Sequence, residues 1–300
     1  MASMTSRGGM GSSRGKVSVL TLVRGRESHL ANLIDALAGQ ILPPDELVIA
    51  YMQDTPHPLP DGLPFEVRIC FAAADDEPMP LAAARNCAAH AATGDMLIFL
   101  DVDCVPSPSL VLAYALGLRE HDACLMGDVL YLPEGATRGA DAQRLDELGV
   151  RHPAKPAPPE TGARIEPDYG ELWGLSFALR RDAFERCGGL DERFVGYGAE
   201  ETDFARTLEA AGVPLMRIGG ARAYHQHHAV RTPPLHHFDD IVRNAGLFRE
   251  KWGDWPMGYW LGQFEEAGLI AREGDRIDVL RRPAPAEVDA ALAPRGTLFS

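Results

Sequence analysis

Two carboxylates follow a short apolar segment of the sequence. Residues Met96–Leu100 are all large and apolar, and the segment ends at Asp101-Val102-Asp103. Ligands of open α/β sheets bind beyond the carboxyl ends of strands, and residues two apart in a strand point the same way. Asp101 and Asp103 are therefore suited to one hard divalent cation, or to a diphosphate that carries it, because such cations prefer oxygen ligands. A solvated turn is the alternative interpretation of this pair.

A second group of acidic residues follows a loop that contains glycine and tyrosine. The loop, Gly196–Ala199, precedes Glu200, Glu201 and Asp203. Acidic residues in a first helical turn complement the helix dipole, which explains them without any catalysis. That explanation leaves out the loop, which lets backbone and an aromatic ring approach a ligand. Since a general base needs a carboxylate beside the reacting hydroxyl, the start of a helix below such a loop is a suitable position for one.

Histidines are concentrated in one short stretch of the sequence. Five of the ten lie within thirteen residues, namely His225, His227, His228, His236 and His237. Imidazole nitrogens could complete a metal site that begins at Asp103, because Mn²⁺ accepts mixed oxygen and nitrogen ligands. The alternative is a set of surface histidines in a proline-containing loop. We expect one metal ligand among the five.

The composition narrows the class of protein. The 300 residues contain 29 Lys and Arg against 43 Asp and Glu, a net charge of −14, which argues against a nucleic-acid partner or an anionic membrane surface. The longest strongly apolar stretch, Met96–Leu100, is far too short to cross a bilayer, so we expect a soluble chain without a transmembrane segment. The five cysteines are odd in number and form no Cys-x-x-Cys pair, which favours reduced thiols and a cytoplasmic location.

Short apolar runs alternate with amphipathic segments along the chain. The runs predict strands at Val17–Val23, Leu47–Met52, Phe65–Phe71, Met96–Leu100 and Val213–Ile218. Helical spacing predicts a helix that Ser28 caps and Gly39 ends, and further helices at Leu81–Ala92 and Glu201–Ala211. Strands without polar alternation suit a mostly parallel sheet with helices on both faces. The fold class is therefore α/β.

Three segments differ in composition from the rest. Residues 1–16 are rich in serine and glycine and are expected to form a disordered tail. Residues 133–167 contain six prolines and predict either a long ordered lid or a mobile loop. Residues 281–300 are rich in proline and alanine and are expected to form a tail without a core role.

The order of these motifs resembles one family. Val23–Leu30 is similar to a Phe-Arg-Asn-Arg-x-x-x-Leu motif, Ala84-Arg85-Asn86 to an Ala-Arg-Asn helix start, and Phe99–Asp103 to an Asp-Val-Asp motif. Val195–Asp203 aligns without a gap with Trp-Gly-Trp-Gly-Gly-Glu-Asp-Asp-Asp. Together they resemble GT-A fold glycosyltransferases of family 2, with a C-terminal half like that of the β-1,4-galactosyltransferases. The resemblance runs from Val17 to His228.

The resemblance implies roles for individual residues. Contacts with the nucleotide sugar fall on Arg24, Arg26, Gln53, Asp54, Arg85, Asp101, Asp103 and Trp173. Within this set, the two arginines of the first motif would contact the diphosphate, and Asp103 would bind Mn²⁺ or Mg²⁺. Asp101 would contact the ribose or the metal shell, and Trp173 would stack on a sugar unless it is a core residue.

The resemblance places the catalytic carboxylates in the glycine-loop motif. The base position falls on Glu201, with Glu200 beside it, but Glu replaces the family's Asp there. Val195 and Tyr197 replace both tryptophans, so donor and acceptor preferences do not carry over. The family's Met-Ile-Arg-His motif has no identical counterpart, which leaves His225 and His227 as candidate metal ligands, with His225 favoured as nearest the strand.

The implied activity is a metal-dependent, inverting transfer of a hexose. The donor would be a nucleotide-diphosphate sugar, with a UDP-sugar favoured, and the acceptor a hydroxyl of a saccharide or glycoconjugate. One GT-A domain would cover residues 17–280, with nucleotide-sugar binding in 17–130, acceptor binding and catalysis in 168–230, and a C-terminal helical extension. The alternatives are a noncatalytic nucleotide-sugar binding protein and a sugar-phosphate nucleotidyltransferase. The latter usually needs a glycine-rich phosphate loop, which the segment after the first strand lacks.

Overall fold

The structure is a computed structural model that describes residues 15–73, 78–294 and 297. The predicted disordered tail therefore lies outside the described residues, apart from Gly15 and Lys16. Lys16 directly precedes the first strand, and its Nζ lies 3.7 Å from Oε2 of Glu46.

The described residues form a large sheet, a separate hairpin and helices between the strands. The strands are β1 Val17–Val23, β2 Glu46–Tyr51, β3 Glu66–Phe71, β4 Met96–Leu100, β5 Cys104–Pro106, β6 Cys124–Tyr131, β7 Val150–Arg151, β8 Ala163–Ile165, β9 Ser176–Arg180, β10 Leu215–His225, β11 Ile270–Glu273 and β12 Arg276–Val279. The helices are α1 Glu27–Ala38, α2 Leu81–Ala91, α3 Leu110–Glu120, α4 Ala142–Leu148, α5 Arg181–Arg186, α6 Glu200–Ala210, α7 Phe238–Trp252, α8 Gly258–Glu266 and α9 Pro285–Ala290.

The sheet is mixed, as predicted. Its strand order is β3-β2-β1-β4-β9-β6-β10-β5, with β7 paired to β6 and β8 to β10. The first four strands are parallel, and β10 runs parallel to β6. The antiparallel strand β9 lies between β4 and β6, and β5 returns antiparallel along β10. The carboxyl ends of β1 and β4 and the end of β10 are thereby directed to the side of the sheet that carries the candidate site.

Both faces of the sheet are buried under helices, which explains the strands without polar alternation. In β1, Val19 packs into the cluster that contains the α1 leucines, whereas Leu20 packs into the cluster that contains the α2 alanines. Adjacent residues of a strand point to opposite faces, so both must be apolar when both faces are covered. The predicted α/β class with helices on either side of the sheet is confirmed.

Several boundaries differ from the sequence predictions. Helix α1 begins at Glu27, and its N-cap is Arg26 in the left-handed region, at φ 54° and ψ 36°, so Ser28 lies inside the helix. Strand β10 extends to His225, well beyond the predicted Ile218, because it continues along β6 after an irregularity between Arg217 and Arg222.

The two segments expected to be loop or tail contain regular structure. Residues 133–167 include helix α4 and two short strands, β7 and β8. Strand β7 pairs with β6, and β8 pairs with β10. The predicted C-terminal tail includes α9, and its Val288 packs against a cluster formed with α7 and α8. The C-terminal extension is thus helical, as expected, with the β11–β12 hairpin in addition. None of the helices in the described part of the chain has both the length and the apolar character needed to cross a membrane.

A buried carboxylate links neighbouring strands at the end of the sheet opposite to the candidate site. The side chain of Glu46 is fully buried and accepts hydrogen bonds from the Ser18 hydroxyl at 2.6 Å, the Gly94 N–H at 3.1 Å and the Arg68 guanidinium at 2.8 Å. Burial alone would raise the pKa of this carboxyl, but the hydrogen bonds from Ser18 and Thr93 lower it to about 2.

We predict that Glu46→Gln lowers the free energy of unfolding by about 3 kcal/mol at neutral pH, since each pKa unit corresponds to about 1.4 kcal/mol. Because the folded pKa lies below the unfolded value of 4.5, this stabilisation is present above pH 4.5 and is lost as the pH falls toward 2. Denaturant unfolding at several pH values measures it. Glu66→Gln, on the exposed partner of the same arginine, is the control and should change stability by less than about 0.5 kcal/mol. Equal effects of the two changes would contradict the prediction.

Candidate active site

The loop after β4 is fixed by contacts to two other strands. The N–H of Asp101 donates to the carbonyl of Leu175 at 3.0 Å, just before β9. The N–H of Gln226 donates to the carbonyl of Asp103 at 2.7 Å, just after β10. Since β5 pairs with β10 so that Cys104 lies opposite His225, the side chains of Asp103 and His225 are brought together.

A candidate metal site lies at this junction. Asp103, His225 and His228 can each offer one ligand atom, and these atoms all lie within 4.8 Å of one another. The Oδ1 of Asp103 is 3.6 Å from Nε2 of His225, and its Oδ2 is 3.5 Å from Nε2 of His228. His227, one of the two expected histidines, lies outside this group and lines an adjoining cavity of about 310 Å³. The structure therefore brings His225 and His228, rather than His227, close to Asp103.

The spacing of the histidines contains the signal that would have identified His228. His225-Gln226-His227-His228 has the length of the family's Met-Ile-Arg-His motif and also ends in histidine. Proximity to the strand singles out His225, which lies beside Asp103, but not His228, which follows three positions later.

The electrostatics of this cluster suit a cation. Burial lowers the pKa of both His225 and His228, the latter to about 4, so both imidazoles are neutral at pH 7 and have a nitrogen lone pair available. Burial opposes ionisation of Asp103, but His225, Arg26 and His228 lower its pKa, because both imidazoles are protonated at the low pH where this carboxyl titrates. A carboxylate with two neutral imidazoles is a donor set that fits Mn²⁺.

One arginine of the first motif contacts the same carboxylate. Nη1 of Arg26 lies 3.1 Å from Oδ2 of Asp103. The other, Arg24, donates through Nε to the carbonyl of Met52. Gln53 accepts from the N–H of Gly25 and donates to the carbonyl of Thr55 at 2.6 Å, so its amide supports the loop that carries both arginines.

The remaining predicted nucleotide contact on this side, Asp54, is exposed beside Gln53. The structure gives both residues positions next to the arginine loop. The amide of Gln53 supports that loop through its hydrogen bonds. This role is not predictable from the sequence, because it depends on the conformation of the turn between β1 and α1.

A second cluster surrounds Arg85, whose side chain is only 3% exposed. Its Nη2 lies 3.3 Å from Asp101 and 3.5 Å from Glu201, and its Nη1 lies 3.4 Å from Glu200. One guanidinium thus faces three carboxylates, which leaves an excess of negative charge if all three are ionised.

Burial and repulsion between carboxylates raise the pKa of two carboxyls in this cluster. Burial and the neighbouring Glu200 raise the pKa of Glu201 to about 8, against the opposing effect of Arg85 and of the Gly174 N–H. Burial raises the pKa of Asp101 to about 6, and Arg85 only partly offsets it. A carboxyl whose pKa lies near neutrality is suited to accept and release a proton at physiological pH.

Two features of the backbone position Glu201. The preceding loop has left-handed φ values at Gly196, Gly198 and Ala199, of 73°, 97° and 69°, and α6 begins directly after it. On the opposite side, Gly174 leaves space for the carboxylate, because a Cβ at that position would clash with Oε1 of Glu201 and with the guanidinium of Arg85.

Trp173 is half-buried at the edge of this cluster, and one face of its ring is covered. Nζ of Lys155 lies 3.8 Å from the ring centroid, and the ring of His152 meets it edge-on at 5.2 Å. Lys155 also lies 3.2 Å from Oε2 of Glu171. Both covering residues come from the 133–167 segment. Stacking of a sugar on this face of Trp173 requires Lys155 to move.

Not every acid of the glycine-loop motif belongs to the site. Asp203 is 1% exposed and accepts from Nε1 of Trp252 at 2.7 Å and from Nζ of Lys251 at 2.9 Å. Asp203 thereby fastens α6 to α7.

Two family models match the sequence. The model for glycosyl transferase family 2 matches residues 18–188, and the model described as the N-terminal domain of galactosyltransferase matches residues 161–229. The first match includes the arginine loop, Arg85 and both aspartates, and the second includes Glu201, His225 and His228.

Two curated relatives are similar over most of this chain. The O-antigen biosynthesis protein RfbC of Myxococcus xanthus is 26% identical over 229 residues, which are 72% of this chain and 18% of the relative. The validoxylamine A glucosyltransferase of Streptomyces hygroscopicus subsp. limoneus is 25% identical over 223 residues, 66% of this chain and 49% of the relative. The chain thus spans at most about half the length of either relative.

Solved structures share the fold at low sequence identity. GalNAc-T7, crystallised with UDP, GalNAc and Mn²⁺, is 19% identical with a TM-score of 0.52 over 71% of this chain and 43% of that one. TarS of S. aureus, residues 1–349, is 16% identical with a TM-score of 0.52 over 78% of this chain and 65% of that one. The family 2 model covers more than half of the residues, and the sheet matches those of GT-A enzymes, so the chain belongs to glycosyl transferase family 2 and has the GT-A fold.

Proposed function

We propose that this chain is a metal-dependent, inverting glycosyltransferase that moves a hexose from a nucleotide-diphosphate sugar to a hydroxyl of a saccharide or glycoconjugate. The observation that carries the proposal concerns the two ends of Asp101-Val102-Asp103. Asp103 lies with Arg26 and two neutral imidazoles, whereas Asp101 shares Arg85 with Glu201. A site for an anionic leaving group and a carboxyl able to take up a proton therefore meet on one short segment.

In the proposed reaction, the ionised carboxylate form of Glu201 accepts the proton of the acceptor hydroxyl while that oxygen forms a bond to the anomeric carbon. The bond from this carbon to the diphosphate oxygen breaks on the opposite face, and the nucleoside diphosphate leaves with the electron pair. Arg24 and Arg26 would stabilise the charge that develops on the diphosphate. A divalent ion held by Asp103, His225 and His228 would add positive charge at the same place.

The donor class rests on the relatives. Structures of similar fold were solved with UDP or with UDP-GlcNAc, which favours a UDP-sugar over other nucleotide sugars. The validoxylamine A glucosyltransferase is named for transfer of a hexose, which favours a hexosyl donor. Release of UDP from a UDP-sugar in the presence of Mn²⁺ would separate an enzyme from a noncatalytic binding protein, since the latter releases none.

We predict that Glu201→Gln retains donor binding but lowers the turnover of transfer by about 10² to 10⁴, because the amide cannot accept the proton. Calorimetric titration with UDP and a UDP-release assay measure the two quantities. Glu209→Gln, an exposed carboxyl on the same helix, is the matched control and should leave both unchanged. Near-normal turnover of Glu201→Gln would contradict the assignment of the base.

The same substitution should stabilise the fold at high pH. The folded pKa of Glu201, about 8, exceeds the unfolded value of 4.5. Between these two pH values the unfolded chain loses this proton while the folded chain retains it, so the free energy of unfolding falls as the pH rises from 4.5 to 8. The groups that face it are Arg85, Glu200, Asp101 and the Gly174 N–H. We predict a Tm for Glu201→Gln that is close to that of the unmodified chain at pH 4.5 and higher at pH 8. A lower Tm at pH 8 would contradict the charge balance described for this cluster.

The metal site can be tested with adjacent histidines. We predict that His228→Ala weakens Mn²⁺ binding at least about tenfold, whereas His227→Ala changes it less than about twofold, because only the former imidazole faces Asp103. Titration of the free Mn²⁺ signal by electron paramagnetic resonance measures binding without any turnover. Equal losses from the two variants, or a loss from His227→Ala alone, would overturn the donor set.

A further inference from the structure

The loop Val195–Ala199, which leads into the candidate base, has an energetically unfavourable backbone conformation. Three of its residues have left-handed φ values, and one of these is Ala199, which has a Cβ. A non-glycine residue in this region costs roughly 1–2 kcal/mol relative to a right-handed one. A neighbouring element must therefore stabilise this conformation.

That element is α7, and its main contact is the amide of Asn244. This side chain is fully buried, and its Nδ2 lies 3.1 Å from the carbonyl oxygen of Val195, 3.3 Å from that of Tyr197 and 2.9 Å from that of Gly198. One amide group thus faces three carbonyls within four consecutive residues. Its Oδ1 is buried without a hydrogen-bond partner in the part of the chain that the structure describes, so the side chain interacts through its donor end.

Two further residues on the same face of α7 contact the loop. Oδ2 of Asp240 accepts from the N–H of Tyr197 at 3.3 Å, and its carboxylate fills the space that a Cβ at Gly196 would need. Arg243 donates to the carbonyl of Val195. Positions 240, 243 and 244 are three and four residues apart, so they share one face of the helix.

We propose that Asn244 is a positioning residue for the candidate base, which acts by fixing the loop from which α6 begins. The proposal rests on the proposed function, in which Glu201 must stand against Gly174 and Arg85. When three carbonyls lose a common donor, the loop can relieve the left-handed conformation of Ala199, and the first turn of α6 can shift. A displacement of about 1 Å at the reacting group is enough to cost roughly 10²-fold in rate.

Neither family match includes this residue. The matched ranges end at residues 188 and 229, and α7 begins at Phe238. The C-terminal helices thereby acquire a role in the reaction that the family motifs do not assign.

The test uses Asn244→Asp, which keeps the shape of the side chain but replaces the donor by an oxygen that repels the three carbonyls. We expect kcat to fall at least about tenfold while the KM for the donor changes less than about twofold. The matched control is Gln40→Glu, because the buried amide of Gln40 also donates to two carbonyls, those of Ala36 and Ser107, at the other end of α1 from Arg26. This control should lower Tm and leave kcat of the folded protein unchanged.

A second measurement is independent of activity and uses Asn244→Ala, which removes the donor without adding repulsion. Glu201→Gln is combined with it and, separately, with Gln40→Glu, and the Tm at pH 8 is compared across the six chains. If Asn244 holds Glu201 among the other carboxylates, the gain in Tm from Glu201→Gln disappears in the Asn244→Ala background and persists in the Gln40→Glu background. An undiminished gain, or a kcat that falls no more than in the control, would overturn the positioning role. If the gain in Tm disappears in the Asn244→Ala background as expected but the unmodified chain transfers no sugar, the proposed function is refuted and the positioning of Glu201 by Asn244 is not.

Discussion

A single buried guanidinium, that of Arg85, is shared by three carboxylates from two distant parts of the sequence. Removing it would leave the buried carboxylate of Glu200 and the partly exposed carboxylates of Asp101 and Glu201 without their common partner, and an unpaired buried charge is strongly destabilising. The attraction also falls short of offsetting the burial of Glu201 and its repulsion by the neighbouring carboxylates, which together raise the pKa of Glu201. The same contact therefore holds the two halves of the site together and keeps one carboxyl ready to exchange a proton.

The sheet topology determines which groups meet there. Because β9 runs antiparallel beside β4, Leu175 and Asp101 are adjacent, and Gly174 lies under Glu201. Because β5 returns along β10, Asp103 lies beside His225. The C-terminal helix α7 completes the arrangement through Asn244, so residues far beyond the family motifs contribute to the geometry of the loop before α6.

Local patterns in the sequence were enough to predict β1, β4 and α2, since their apolar residues follow the periodicity of each element. The two aspartates and the glycine loop could be located for the same reason, because each sits at the end of a recognisable element. Contacts across the chain were not predictable in this way. The position of His228 depends on how the chain turns after β10, and the covering of Trp173 by Lys155 depends on how the 133–167 segment folds over the sheet. The role of α9 likewise depends on a partner cluster, which its composition does not reveal.

In the proposed inverting transfer, the carboxylate base and the anionic leaving group act on opposite faces of the same sugar carbon. The stereochemistry of the first product tests it most directly, with water as the acceptor if no better one is known. Incubation of an α-linked UDP-sugar with the chain and a divalent metal ion, followed by rapid proton magnetic resonance, reports the anomeric configuration of the released sugar before it equilibrates. We expect the β anomer as the first product of an inverting transfer, and release of the α anomer would contradict the inverting mechanism.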